Sequence, residues 1–154
     1  MLWGYVDKSM AQRTFSEIEH GSVAYEQSLA LRDEVLRKPL GLHFSDEELE
    51  VERGLYHLAC QEERQVLGCL VLVPHEDGTI RMRQVAVAAH VQRQGIGRAL
   101  TELAERLARE RGFSAVTLNA RDTAVGFYEK LGYQRVGEPF VMVSIQHWFM
   151  EKEL

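Results

Sequence analysis

The chain is poor in the residues that mark specialised folds. Among its 154 residues are two cysteines and three prolines, with no low-complexity stretch and no internal repeat. Two cysteines cannot knit a disulfide scaffold, and Cys60 and Cys69 lack the spacing of zinc ligands, so they read as reduced, buried thiols. Both fall on what reads as one hairpin, which leaves a Cys60–Cys69 bridge open. Basic excess is also missing: 18 Lys and Arg stand against 23 Asp and Glu, a formal charge of −5. That balance removes the overall pull on a phosphate backbone and excludes nucleic acid as the expected partner. Apolar runs such as "CLVLV" fall far short of a membrane span, and "MLWGYVDKSM" lacks a basic segment followed by an apolar core. The expectation is one cytoplasmic domain over residues 1–154, with residues 1–9 as a dispensable arm, because a chain of this length buries roughly 70% of its unfolded surface.

What is present is a series of alternating elements. "RTFSEIE" suits a first strand. Ser22 offers an N-cap to a helix through "VAYEQSLALRDEVLRK", stopped by Pro39 and Gly41, and Ser45 with Glu48 has capping-box spacing before "DEELEVER". "LYHLACQ", "VLGCLVLV" and "TIRMRQVAVAA" follow as three antiparallel strands, the last two joined at "HEDG". The close of that third run, "VAVAA", suits a central strand covered on both faces. Ile96, Leu100, Leu103 and Leu107 then recur at i, i+4, i+7 and i+11, with Glu102/Arg106 and Glu105/Arg109 as outer pairs, and Gly112 closes the helix. "SAVTLNA" reads as a strand parallel to "QVAVAA", since a helical crossover joins them. Asp122 is placed as the cap of a short helix ending at Gly132, and "YQRVGEP" and "MVSIQHWFM" are the last two strands. The class is α/β, with a mixed sheet.

Between the central strand and the long helix lies "HVQRQGIGRAL". A strand passing into a helix through a glycine turn leaves backbone N–H groups free at the positive end of the helix dipole. Gly95 and Gly97 would let a pyrophosphate approach the backbone, and Arg93 and Arg98 would add charged contacts. Spacing alone leaves two readings open, a sharp turn and an anion cradle; neither the Rossmann glycine spacing nor a P-loop lysine is present.

Gln92, Gly95 and Gly97 match the Gln/Arg-x-x-Gly-x-Gly/Ala signature of the GNAT superfamily of N-acetyltransferases, which the chain resembles. "AVGFYEKLGY" is similar to that family's later Ala-x-x-Phe-Tyr-x-x-x-Gly-Phe/Tyr motif. These blocks cover about residues 80 to 140, and "GEPFVMVSIQHWFMEK" and "VLRKPLGL" look like a bacterial-type subgroup of small GNAT proteins. The resemblance implies a mostly antiparallel sheet of six to seven strands, splayed between the fourth and fifth, with about four helices.

It also implies acetyl-CoA as co-substrate. The pyrophosphate would sit on Gln92, Arg93, Gln94, Gly95, Ile96, Gly97 and Arg98, and the pantetheine arm would lie along Val85, Ala86 and Val87, with Asn119, Phe127 and Tyr128 completing the donor site. Tyr128 matches the residue that protonates the departing thiolate. Many relatives carry Asn where Arg121 stands here, while Asn119 lies two positions earlier. Some carry a Glu base on the fourth strand, where Gln84 cannot serve. His147 is either the base or a structurally hydrogen-bonded ring, with Glu48 and Glu138 as weaker candidates for the base. His43, His57, His75 and His90 form no metal-ligand pattern, so no metal is expected.

The implied activity is acetyl transfer to a primary amine, with a small molecule as the expected acceptor; a peptide acceptor, or a CoA-binding module without turnover, is the alternative. Asp46, Glu47, Glu48, Glu50 and Glu52 would form an acidic wall favouring a cationic amine, or else a solvated face, and "RKPLGLHF" would suit an apolar group or peptide. A homodimer is compatible with the sequence.

Overall fold

The computed structural model describes residues 12–154; the expected N-terminal arm lies outside them. The order of elements is β1 (Thr14–Ile18), α1 (Val23–Arg32), α2 (Asp46–Val51), β2 (Tyr56–Glu62), β3 (Gln65–Pro74), β4 (Thr79–Val87), α3 (Ile96–Glu110), β5 (Ala115–Arg121), α4 (Val125–Lys130), β6 (Gln134–Arg135), β7 (Phe140–Met142) and β8 (Ile145–Glu153). The strands form one eight-stranded sheet in the order β1-β2-β3-β4-β5-β8-β6, with β7 beside β8. Among the described strands only β4 and β5 run parallel, as the crossover through α3 requires.

Two apolar layers hold the sheet. On one face Ile96, Leu100, Leu103, Ala104 and Ala108 of α3 pack on Leu58, Leu70, Leu72, Ile80, Met82 and Val116. On the other, Tyr25 and Leu31 of α1 cover Ala59, Val66, Cys69 and Ala86. Each large aliphatic side chain so buried contributes about 1.5–3 kcal/mol. β4 is therefore central and covered on both sides, as its sequence predicts. Gly68 of β3 lies directly beneath α3: a Cβ there would stand 2.7 Å from Ile96 Cγ2 and 3.1 Å from Leu100 Cδ1.

Cys60 and Cys69 belong to these opposite layers, because Cys60 pairs with Gly68 and Cys69 with Ala59. Both are free. The bridge left open by the sequence is thus ruled out by strand alternation, not by distance along the hairpin.

Several local expectations need correction. The helix through Lys38 is not uniform: α1 gives way to a π turn at Asp33–Arg37 and a 3-10 turn at Lys38–Leu40, ended by Gly41 at φ +68°. The run "MVSIQHWFM" contains a turn, because Val143 and Ser144 take φ values of 51° and 61° and fold β7 back on β8. Of "YQRVGEP" only Gln134 and Arg135 pair as a strand. Asp122 lies inside a 3-10 turn and caps nothing; its Oδ1 accepts from Trp148 Nε1 at 2.9 Å and Gln146 Nε2 at 3.2 Å, bracing β8. The outer pairs on α3 also differ. Glu102 accepts from Arg98 at 3.0 Å, and Glu105 is buried, accepting from Tyr133 at 3.0 Å and Lys152 at 2.8 Å. No helix among the described residues is long and apolar enough to cross a membrane.

Candidate active site

The sheet parts at its centre. β4 and β5 pair at Thr79–Ala115, Ile80–Val116 and Arg81–Thr117 and no further, so from Met82 onward the edge of β4 faces a gap. A bulge sharpens the departure: Arg83 lies opposite Val71 and Ala86 opposite Cys69, so Gln84 and Val85 share the space of one partner. Gln84 holds φ +55°, a left-handed conformation costly for a residue with a Cβ, and its Oε1 is buried without a donor among the described residues.

At one mouth of the gap sits the glycine turn. Arg93 and Gly95 take φ values of 64° and 83°, and α3 starts at Ile96 with no side-chain cap among the described residues, so its first N–H groups lack an intrahelical partner. The turn is held from behind: Gln92 Nε2 donates to the Val87 carbonyl at 3.2 Å, and Arg13 donates to Gln94 Oε1 at 2.8 Å. Gly95 has open space where a Cβ would lie, whereas Gly97 lies under Phe127, whose Cζ would be 3.5 Å from a Cβ there. Ile96 is 1% exposed and anchors the helix, so only its backbone is available; the same holds for Ala86, at 2%.

Further along the gap opens a cleft of about 410 Å³, which brings together Val85, Asn119, Tyr128 and His147 with Leu36, Leu40 and Leu42 from the irregular end of α1. Leu36 lies in the π turn, Leu40 in the 3-10 turn and Leu42 just beyond Gly41, so the irregular segment as a whole lines the cleft. A second cleft of about 360 Å³ adjoins it, sharing Arg37, Arg83 and Gln84.

Tyr128 is 7% exposed, held edge-on by Phe127 and Tyr133 at ring distances of 5.0 and 5.7 Å. Burial pushes its phenol up to about 12. His147 stacks on Phe140, and its Nδ1–H donates to the Ile145 carbonyl at 2.8 Å, which leaves Nε2 with the lone pair in the neutral ring. Glu138 is exposed and lines neither cleft, while Glu48 lines the second and pairs with Arg37 at 3.1 Å. No set of three metal-binding side chains occurs among the described residues.

The acidic wall is largely neutralised. Glu50 pairs with Arg53 at 3.1 Å, and Glu52 turns inward to Arg32, while Asp46 and Glu47 are exposed and line neither cleft. Among the described residues, the charged side chains that do line the main cleft are Arg37, Arg81, Arg83 and Arg121. Alternation along β4 signalled that Arg81 and Arg83 share a face; their meeting with Arg121 depends on sheet register.

A parted sheet with an uncapped helix start at one mouth and a cleft at the other suits an extended donor meeting a compact acceptor. Residues 33–154 match the Acetyltransferase (GNAT) domain, and the chain belongs to that family. It is 27% identical to the uncharacterized N-acetyltransferase YitI of Bacillus subtilis over 144 residues, 89% of this chain and 97% of that one. Another Bacillus subtilis relative is 33% identical over 75 residues, so the match spans about half of each chain, 49% here and 51% there. Among solved structures, an acyl-CoA N-acyltransferase from Pseudomonas aeruginosa superposes with a TM-score of 0.78 at 21% identity, covering 91% of this chain and 99% of the other. An aminoglycoside 6′-N-acetyltransferase complexed with coenzyme A gives 0.75 at 18%, covering 91% and 96%.

Proposed function

We propose that the chain transfers an acetyl group from acetyl-CoA to the primary amine of a small molecule, directly within a ternary complex. The observation that carries this reading is the gap itself: β4 loses its parallel partner after Arg81 and ends in the glycine turn before α3. The free backbone edge suits the amides of a pantetheine arm, added like a short strand along Val85, Ala86 and Val87. The N–H groups of the turn, with Arg93 and Arg98, suit the pyrophosphate.

The bulge at Gln84 and Val85 interrupts the ladder to β3; a backbone N–H on this stretch of β4 would stabilise negative charge on the thioester oxygen as the amine attacks. As the C–S bond breaks, the electron pair leaves on sulfur and the Tyr128 hydroxyl is the donor at hand. With its phenol near 12, full proton transfer to a thiolate of ordinary basicity is uphill by about 3.5 pH units, roughly 5 kcal/mol. Tyr128 therefore acts first by hydrogen bonding to the developing thiolate. The proton lost by the amine passes to water or to Nε2 of His147.

Direct transfer is favoured because neither thiol serves as an acyl carrier. Cys60 and Cys69 lie off the cleft, and burial raises both, Cys69 to about 12. The leucines over the cleft and its modest volume suit a small acceptor. Thiol release from acetyl-CoA in the presence of polyamines, amino sugars, amino acids and peptides tests the reading. Turnover only with peptides would move the acceptor to the peptide class, and donor binding without turnover on any amine would leave a CoA-binding module.

A further inference from the structure

We propose that the acceptor is an amine that also carries an anionic group, carboxylate or phosphate, and that Arg83 and Arg121 seat that group; this rests on the acetyl-transfer reading above. The chain as a whole is acidic, at −5, yet among the described residues no Asp or Glu lines the main cleft, whereas four arginines do. Arg37 is already engaged by Glu48. Arg81, Arg83 and Arg121 have no ion-pair partner among the described residues. The neighbouring cleft offers them no counter-charge, because Glu48 is held by Arg37, and Glu52 by Arg32 and Tyr25.

Register puts these cations on the acceptor side. Ile80 and Met82 face α3, so Arg81 and Arg83 project to the α1 side of β4; Arg81 stands opposite Thr117, which fixes Asn119 and Arg121 on the same face of β5. The donor's phosphates have the turn's N–H groups and Arg93 at the far end of the gap, where Arg98 pairs with Glu102 at 3.0 Å, and a pantetheine arm carries no charge to neutralise three guanidiniums. Arginine presents a planar fork that suits carboxylate and phosphate alike. The same cleft is lined by Gln84, whose buried Oε1 has no donor among the described residues and could accept from the acceptor's amine. One small molecule bearing both an amine and an anion satisfies both.

The test uses matched pairs of amines with full-length protein: β-alanine against β-alaninamide, phosphoethanolamine against ethanolamine, and putrescine as a cationic control. Acetyl-CoA binding is first established by calorimetry. The anionic member of at least one pair should have the higher kcat/KM, by about tenfold or more. Arg83→Gln and Arg121→Gln should collapse that ratio toward unity, mainly through KM, and Arg83→Lys should restore part of it. Comparing the two pairs separates carboxylate from phosphate. A readout free of turnover is binding of succinate and inorganic phosphate to the CoA complex, with at least one expected to bind and to weaken about tenfold in Arg83→Gln. Preference for the amides, ethanolamine or putrescine, or absence of binding by both anions to the wild-type complex, overturns the inference and leaves acetyl transfer standing. Failure of acetyl-CoA itself to bind removes the acetyl-transfer reading and this inference with it.

Discussion

Arg32 and Glu52 form a two-pronged ion pair inside the protein, with Arg32 Nη1 donating to Glu52 Oε1 at 2.9 Å and Nη2 to Oε2. The Tyr25 hydroxyl donates to the same carboxylate at 2.8 Å, and the Glu52 carbonyl accepts from His57 Nε2 at 2.8 Å. This network ties α1 to the segment after α2 and so fixes one wall of the second cleft. Removing one partner strands a buried charge. Glu52→Ala should destabilise the protein by about 3–5 kcal/mol, measured by urea unfolding, because Arg32 is 1% exposed.

The same network sets an acid limit. Burial, partly offset by its bond to the Glu52 carbonyl, holds His57 below the usual histidine range. Burial alone would raise Glu52, but the bonds from Arg32 and Tyr25 hold it below the usual carboxylate range. Each group binds fewer protons folded than unfolded, so its contribution is present above its unfolded pKa and is lost as pH falls. Tm should therefore be level near neutral pH, begin to fall near 6.5 through His57, and fall further below about 4.5 through Glu52. His57→Gln should flatten the first of these declines in a Tm series.

Gly68 sets how closely α3 approaches the sheet. Gly68→Ala forces Ile96 and Leu100 to shift and should cost about 1–3 kcal/mol. Because Ile96 opens the helix that begins at the glycine turn, donor affinity should fall as well. Urea unfolding and calorimetry together check this; unchanged values in both would mean that the helix relaxes freely.

Tyr128→Phe should lower kcat by about ten- to a hundredfold while leaving donor affinity nearly unchanged. With its phenol near 12, Tyr128 should impose no descending limb on the pH profile below about pH 11. Equal turnover in the variant would return Tyr128 to packing.

The glycine turn was legible in the sequence because Gly95 and Gly97 stand between a strand and an amphipathic helix, whereas Gln92 was marked only by its likeness to the family signature. The parallel pairing of β4 and β5 followed from the crossover. Other features are tertiary and left no local mark. Glu105 reads as a surface charge until Lys152, 47 residues away, meets it. Val143 and Ser144 turn the chain without the glycine or asparagine that announces such turns. The π turn at Asp33–Arg37 is spelled in ordinary helix-forming residues, and Gln84 reveals its bulge only against β3.

The central claim is that the glycine turn and the parted sheet hold acetyl-CoA. Isothermal titration of the full-length protein with acetyl-CoA, beside Gly97→Glu, tests it most directly. The glutamate would place bulk and negative charge against the pyrophosphate. Saturable binding of one donor per chain, weakened at least about tenfold by the substitution, is the predicted result. Absence of binding by the wild type, or equal affinity in the variant, would contradict the account.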